Sequence, residues 1–459
     1  MLDHCLRDDA VNIWTAGVDS VRSENLVQQA VQVDANQLRI MDQSWPLEQF
    51  DRILVVGAGK AGAGMAAGLE QALGSQVLAD EKVSGWLNVP DNCVRELQKI
   101  HLQAARPAAR NEPTEEGMHG AQEILRQVRA LTPRDLCICL ISGGGSALLP
   151  APCEGVSLHD KLRITRHLSA AGANIQQINA VRTSLSAIKG GGLARACGAG
   201  VLITLIISDV MGDPLDTIAS GPTVPIADPA AQQKLAQETV DQFGIREMGL
   251  STAVLDLLTR PRAPVSIPSS QHLINRILGN NETAITAAAS RASQLGYVVR
   301  RLPTESATTL AEEVGRSLAD ELAKESNRNQ PVCLINGGEP VVQLVDATSR
   351  GLGGRNQQLV LAALDDRRKS VAEESLFERQ LILSGGTDGE DGPTDAAGGF
   401  VDRSVVEMMI AQQLNPAIYL QQNNAYHFLE RTGGLLKTGP THTNVCDVRI
   451  GLQLPNPRT

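Results

Sequence analysis

Several short segments of this 459-residue chain set glycines beside a cation, a hydroxyl or a carboxylate. That pairing lets backbone amides and a charged side chain meet one anion together. Gly57, Gly59 and Gly62 form a GxGxxG run that encloses Lys60. The glycine spacing alone favours a dinucleotide, with Asp80 near the end of the next strand for the ribose. Lys60 redirects this reading, because a cation in the loop suits a mobile or multiply charged phosphate. Ala61 follows the lysine, so the segment is not a Walker A loop. The plainer alternative is a turn that only permits close strand–helix packing.

Ser142, Gly143, Gly144, Gly145 and Ser146 form a second loop, whose glycines can turn N–H groups toward an anion between two hydroxyls. It lacks the GxSxG of a nucleophile elbow, which argues against serine hydrolysis. Arg182 precedes Lys189 and Gly190–Gly192, with Leu185 and Ile188 spaced for a helix ending at the glycines. Lys189 then reads either as a phosphate ligand or as a cation on that helix's C-terminus. Asp209 and Asp213 follow an apolar run and offer hard oxygen ligands of the kind Mg²⁺ takes, although Asp213 before Pro214 also suits a turn. In the second half the sharpest residue is Arg355, flanked by Gly353, Gly354 and Asn356, whose planar fork can hold a phosphate or carboxylate at two points. Thr387 and Asp388 open an acidic stretch with Glu390, Asp391 and Asp395. His159, His167 and His442 stand apart, without metal-ligand spacing, and read as structural.

These residues need strands and helices to hold them. Apolar runs at Ile53–Val56, Leu136–Ile141 and Val201–Ile207 each end near glycine or a small polar residue and lead into a helical pattern, the rhythm of parallel βαβ units. Helices are expected over 61–73, 115–131 and from a capping box at Ser157 and Asp160 through Ala171, with an entry helix across 9–33. A proline- and serine-bearing stretch at 259–270 marks a domain junction. The expected domains are therefore 1–260 and 271–459, both α/β; the second has a helix at 284–294 and strands at 332–335 and 381–383.

Composition narrows the function classes. A net charge of −10 opposes a nucleic-acid or anionic-membrane partner, and 2% aromatic content leaves few platforms for base stacking. No apolar run is long enough to span a bilayer, and the N-terminus lacks the layout of a secretory signal, so a cytoplasmic protein is expected. The eight cysteines have no CxxC pairing and read as reduced core residues.

Taken in order, VVGAGKAGAGMA at 55–66, LISGGGSALLPAP at 140–152, INAVRTSLSAIKGGGLA at 178–194, ISDVMGDPLDTIASGPT at 207–223, GGRNQQ at 353–358, SGGTDGEDGPTDAAGG at 384–399 and TGPTHTNVCDV at 438–448 resemble the class II glycerate kinases. That family joins a Rossmann-like N-terminal domain to a MOFRL C-terminal domain, and the resemblance spans nearly the whole chain. It implies transfer of the γ-phosphate of ATP to D-glycerate with Mg²⁺ in an interdomain cleft, with 2-phosphoglycerate as the expected product. Lys60 and Arg355 match the family's catalytic cations, and Asp209 would hold Mg²⁺ or orient the hydroxyl, with Asp213 as a second metal ligand. Ser142–Ser146 and Arg182 are the expected substrate contacts. Gly57, Gly59, Gly62, Lys189, Gly190, Asn356, Thr387 and Asp388 are the expected ATP or phosphate contacts. Thr183 stands where the family carries a second basic residue, and 104–113 departs from its HPVP-like segment. A homodimer is allowed. The rival readings are an NAD(P)-dependent hydroxypyruvate reductase and a non-catalytic sugar-acid-binding module.

Overall fold

A computed structural model describes residues 6–107, 112–259, 271–306 and 308–455. The chain divides into two compact units: Ser23–Leu278, here the central unit, and Met1–Arg22 with Gly279–Thr459, here the terminal unit. The partition differs from the expected boundary between 260 and 271. Most of the proline-bearing junction, 260–270, lies outside the described residues, and the strand His272–Gly279 that follows it joins the central sheet.

The central unit is built on six strands: β1 Ile53–Ala58, β2 Val83–Pro90, β3 Ile100–Arg106, β4 Leu136–Ile141, β5 Val201–Ile207 and β6 His272–Gly279, in the spatial order 3-2-1-4-5-6. β1 pairs in parallel with both β2 and β4, β2 with β3, and β4 with β5. Every residue of β1, β4 and β5 is buried, which explains why these strands read as unbroken apolar runs. The helix Glu115–Arg129 lays Ala121, Ile124, Leu125 and Val128 against one face of the sheet, in an aliphatic cluster with Leu54, Val56, Cys137, Cys139 and Leu202.

A second core forms among helices alone. Leu158–Ala170, Ile175–Ser184, Pro229–Gln242 and Thr252–Thr259 bury Ile164, Leu168, Val181, Val240, Val254 and Leu258 together. The capping box at Ser157 and Asp160 is present, with both reciprocal bonds formed. The first of these helices matters for function because it lines the cavity described below.

The entry helix expected across 9–33 is instead two helices, Leu6–Ser20 and Ser23–Ala30. The chain then turns into a three-stranded antiparallel sheet of Val31–Asp34, Gln37–Ile40 and Gln43–Pro46, which the helical periodicity did not reveal. Leu6–Ser20 belongs to the terminal unit, where it packs on the helix Asn281–Gln294. Gly17 permits that approach, since a Cβ there would lie 3.0 Å from the Ala284 carbonyl oxygen.

The terminal unit has its own six strands, β7 Val298–Arg301, β8 Val332–Gly338, β9 Gln380–Gly386, β10 Gly398–Val401, β11 Leu435–Leu436 and β12 Asp447–Gln453, in the order 7-8-12-9-10-11. β7 and β8 are parallel, and the remaining pairs are antiparallel. The unit is thus α/β with a mixed sheet.

Candidate active site

In the central sheet, β1 connects toward β2 on one side while β4 connects toward β5 on the other. The chain reversal between β1 and β4 opens a crevice at the strands' carboxyl ends, where open α/β sheets bind ligands. The loops carrying Lys60 and Ser142–Ser146 both start there. They hold one another: the Lys60 N–H donates to the Gly143 oxygen at 2.9 Å, and the Ala61 N–H to Ser142 Oγ at 3.0 Å. Contact is so close that a Cβ at Gly59, whose φ is +149°, would fall 2.0 Å from Ser142 Oγ.

This geometry corrects the reading of the first loop as an amide cradle. Gly59 donates to the Asn88 oxygen and Gly62 to the Gly59 oxygen, so the N–H groups from Gly59 to Gly62 are all satisfied within the protein. Gly57 lies inside β1. What the loop can offer a ligand is the half-buried Lys60 side chain. Asp80, expected at the end of β2, instead precedes the strand at its opposite end, exposed and 3.6 Å from Lys82. No dinucleotide ribose at the crevice could reach it.

Ser142 is likewise spent, being fully buried with its hydroxyl on Ala61. Among the described residues, no acceptor takes the Gly143 or Gly144 N–H, and these two amides remain of the expected nest. Gly144 has φ +76°, and a Cβ on it would lie 3.6 Å from the Lys60 Cγ and 3.4 Å from Arg106 Nη2. Gly144, Gly145 and Ser146 line a cavity of about 610 Å³ together with Lys161, Arg182, Lys189 and Asp209.

Lys189 does not cap a helix. The helix Ile175–Ser184 stops five residues earlier, and the ammonium of Lys189 is buried, donating to the Ser146 oxygen at 3.2 Å, to Ser220 Oγ at 3.0 Å and to Ser146 Oγ. Arg182 Nη2 donates to the same Ser146 Oγ at 2.8 Å. Burial, with Arg182 and Lys161 adding repulsion, drives the Lys189 ammonium well below its ordinary range. Gly190, expected to meet phosphate through its amide, donates it to the Ser220 oxygen at 2.9 Å, and Gly191 donates to the Gly221 oxygen at 2.7 Å. These glycines hold two loops together.

The helix Leu158–Ala170 supplies Lys161, which the motifs did not single out. Its signal was available: Lys161 falls on the stripe of Leu158, Ile164 and Leu168, all buried, where a cation needs a reason. Asp209 borders the cavity, whereas Asp213 has φ +54° and closes a turn by donating to the Val210 oxygen at 3.0 Å. Among the described residues, no group of three or more His, Cys, Asp or Glu side chains is arranged to hold a metal. A Mg²⁺ that arrives with nucleotide needs only one or two carboxylates, and Asp209 fits that requirement by its place on the cavity wall.

In the terminal unit, Arg355 opens the helix Arg355–Arg367, and its fork is already filled. Nε and Nη2 donate to the two oxygens of buried Asp447 at 2.7 and 2.8 Å, and Nη1 lies 3.2 Å from Glu339. Asp447 therefore fixes the guanidinium plane, and the remaining edge lies against half-exposed Glu339. Asn356 is fully buried, bonding Asp391 through both its N–H and its amide and receiving on Oδ1 the hydroxyl of Ser384. Thr387 is fully buried, with Oγ1 donating to the Cys446 oxygen at 2.7 Å and accepting the Val445 N–H at 2.8 Å. Neither is placed to touch phosphate as expected; both lock the loops around Arg355. Asp388 is half-buried and accepts the Glu390 N–H in a turn.

Family comparisons agree with this architecture. A model described as a domain of unknown function, DUF4147, matches residues 9–259, and the MOFRL family model matches 332–447. The chain is 34% identical to the glycerate kinase of Rattus norvegicus, covering 97% of this chain and 92% of that one. It is 35% identical to the D-glycerate 2-kinase of Thermotoga maritima over 90% of this chain and 94% of that one. A crystal structure of glycerate kinase from Thermotoga maritima superposes with a TM-score of 0.80 at 31% identity, covering 98% of this chain and 99% of that one. With domains, order and length all matched, the chain belongs to the glycerate kinase family that couples a DUF4147 domain to a MOFRL domain.

Proposed function

We propose that this protein transfers the γ-phosphoryl group of ATP to D-glycerate and yields 2-phosphoglycerate. The observation that carries the proposal is a cavity at the sheet's reversal point, walled by Arg182 and Lys189 and adjoining Lys60 through Gly144. An acid substrate belongs in such a cavity, and a phosphoryl group in transit belongs beside the Lys60 side chain. The filled amides of the first loop and the position of Asp80 leave a nicotinamide dinucleotide without its usual holds, which removes the support for a reductase.

In this reading the substrate hydroxyl attacks the γ-phosphorus in line and gives up its proton, the bond to the β–γ bridging oxygen breaks, and ADP and the proton leave. Little covalent chemistry falls to the protein, so positioning and charge dominate. Lys60 neutralises charge on the equatorial oxygens, and within the terminal unit Asp447 holds the Arg355 guanidinium flat. The amides of Gly143 and Gly144 orient the acid. Asp209 would hold Mg²⁺, which would supply positive charge to screen the transferring phosphate. Phosphorus NMR of a reaction with ATP and D-glycerate tests the assignment: a 2-phosphoglycerate resonance is expected, while NADH oxidation by hydroxypyruvate in place of ATP consumption would overturn it.

A further inference from the structure

The cavity beside Gly144 is strongly cationic. Its charged lining residues are Lys161, Arg166, Arg182 and Lys189 against Glu112 and Asp209, and Glu112 is paired with Arg166 at 2.8 Å. Lys161 Nζ is buried with no hydrogen-bond partner. Arg182 and Lys189 spend their donors on neutral oxygens of Ser146, Asn179 and Ser220. The nearest carboxylate in sequence, Asp160, is turned back onto the N–H and hydroxyl of Ser157. Among the described residues, then, Lys161, Arg182 and Lys189 share a cavity with no carboxylate ion-paired to any of them.

Burying an ammonium without a counter-charge is strongly unfavourable unless another interaction offsets it. Arg182 and Lys189 are at least held by hydroxyls. Lys161 has nothing, although a lysine stem can usually carry its head to water. A side chain kept in that position is one whose partner comes and goes with the ligand.

We propose that Lys161 is the counter-ion of the substrate's carboxylate, and so the residue that makes this site select a hydroxy acid over a neutral polyol. The inference rests on the kinase reading for the identity of the acid, but the cavity's demand for a carboxylate stands on its own geometry. Arg182 and Lys189 hold Ser146 so that the acid is gripped between the Gly144 amide and the Lys161 ammonium, leaving its hydroxyls toward Lys60. Glycerol, which carries a neutral CH₂OH where glycerate carries the carboxylate, leaves Lys161 buried and unpaired and binds poorly for that reason.

The test compares wild type, Lys161→Met and Lys161→Arg by steady-state kinetics with D-glycerate and glycerol, and by calorimetric titration of D-glycerate without nucleotide. Losing one charge-assisted contact should raise both KM and Kd for D-glycerate about 10- to 100-fold in Lys161→Met. The KM for ATP should hold, kcat should change only a few-fold, and the glycerate-to-glycerol preference should fall by the same factor as glycerate affinity. Lys161→Arg should recover part of the affinity. Removing an unpaired buried charge should also raise the melting temperature of the ligand-free Met variant, which separates the effect from misfolding. Unchanged glycerate binding in Lys161→Met, or equal losses for glycerate and glycerol, would overturn the role of Lys161 while leaving the kinase assignment intact. Wild-type protein that binds D-glycerate but transfers no phosphoryl group overturns the kinase assignment and leaves the carboxylate subsite standing.

Discussion

Lys60 and Lys161 illustrate two uses of one residue type. Lys60 is half-buried on a loop whose amides are all occupied, so the role proposed for it is charge delivered to the reacting phosphoryl. Lys60→Ala should lower kcat by about 10²- to 10³-fold with little change in melting temperature, as loss of a transition-state contact does. An unchanged kcat would remove Lys60 from the mechanism. Lys161 acts in the ground state. Burial pushes its ammonium down to about 8 from the ordinary 10.5, with Arg182 adding to the shift and the Cys153 thiol opposing it. Lys189, Arg182 and Asp209 also border the cavity, but only Lys161 combines this shift with an unpartnered head. In the ligand-free protein Lys161 is charged below pH 8 and neutral above it, so the KM for glycerate should climb as pH rises from 8 to 9.5. Lys161→Arg should displace that climb to higher pH. For stability the sign is reversed: between pH 8 and 10.5 the unfolded chain binds the extra proton, so this group's contribution to stability increases as pH rises through that window.

At the scale of elements, the glycine runs were legible as positions and misread as devices. Their spacing located the turns after β1 and β4, because strand-to-helix turns demand small residues whatever they bind. Whether an amide in such a turn is open to a ligand depends on acceptors brought from elsewhere, such as Gly143 for Lys60 or Ser220 for Gly190, and no local pattern encodes those pairings. The same limit hid Asp447, which lies 92 positions from the arginine it clamps. Asp391 is a further case. Its carboxylate accepts the N–H groups of Asn356 and Gln357 at 3.0 and 2.9 Å, capping the helix that begins at Arg355 from a distant loop. Asp391→Ala leaves those buried amides without acceptors and should destabilise the terminal unit by about 2 kcal/mol or more. Denaturant titration would read this as a lower midpoint. A midpoint unchanged from wild type would show that the cap is dispensable.

For the molecule as a whole, the α/β class, two units and aliphatic core were all readable from the alternation of apolar runs and helical stretches. The boundary was not, because the helix Leu6–Ser20 has no marker of its allegiance: its stripe of Ile13, Trp14 and Val18 would suit either core. In the structure Trp14 is buried and donates to the Gly385 oxygen at 3.2 Å, which ties the chain's first helix to β9. A fragment of residues 279–459 should therefore fail to fold cooperatively by near-ultraviolet circular dichroism, and should do so once residues 1–22 are fused to it through a flexible linker. Trp14, the only tryptophan in the terminal unit, reports docking by its fluorescence. Cooperative folding of 279–459 alone would refute this dependence.

A discontinuous unit also imposes an order on synthesis. The first helix leaves the ribosome with an apolar face whose partners are encoded beyond Leu278, and the intervening 256 residues form the central unit. At roughly 5–20 residues per second, that face waits about 13–50 s before its partner helix Asn281–Gln294 begins to be made, and longer still for β9 and β12. The central unit can complete itself meanwhile, so translation has a natural halfway state: one finished unit trailing an unsatisfied amphipathic helix. A chaperone that shelters exposed apolar helices would find its client in that interval, and the finished enzyme would show it nothing to bind.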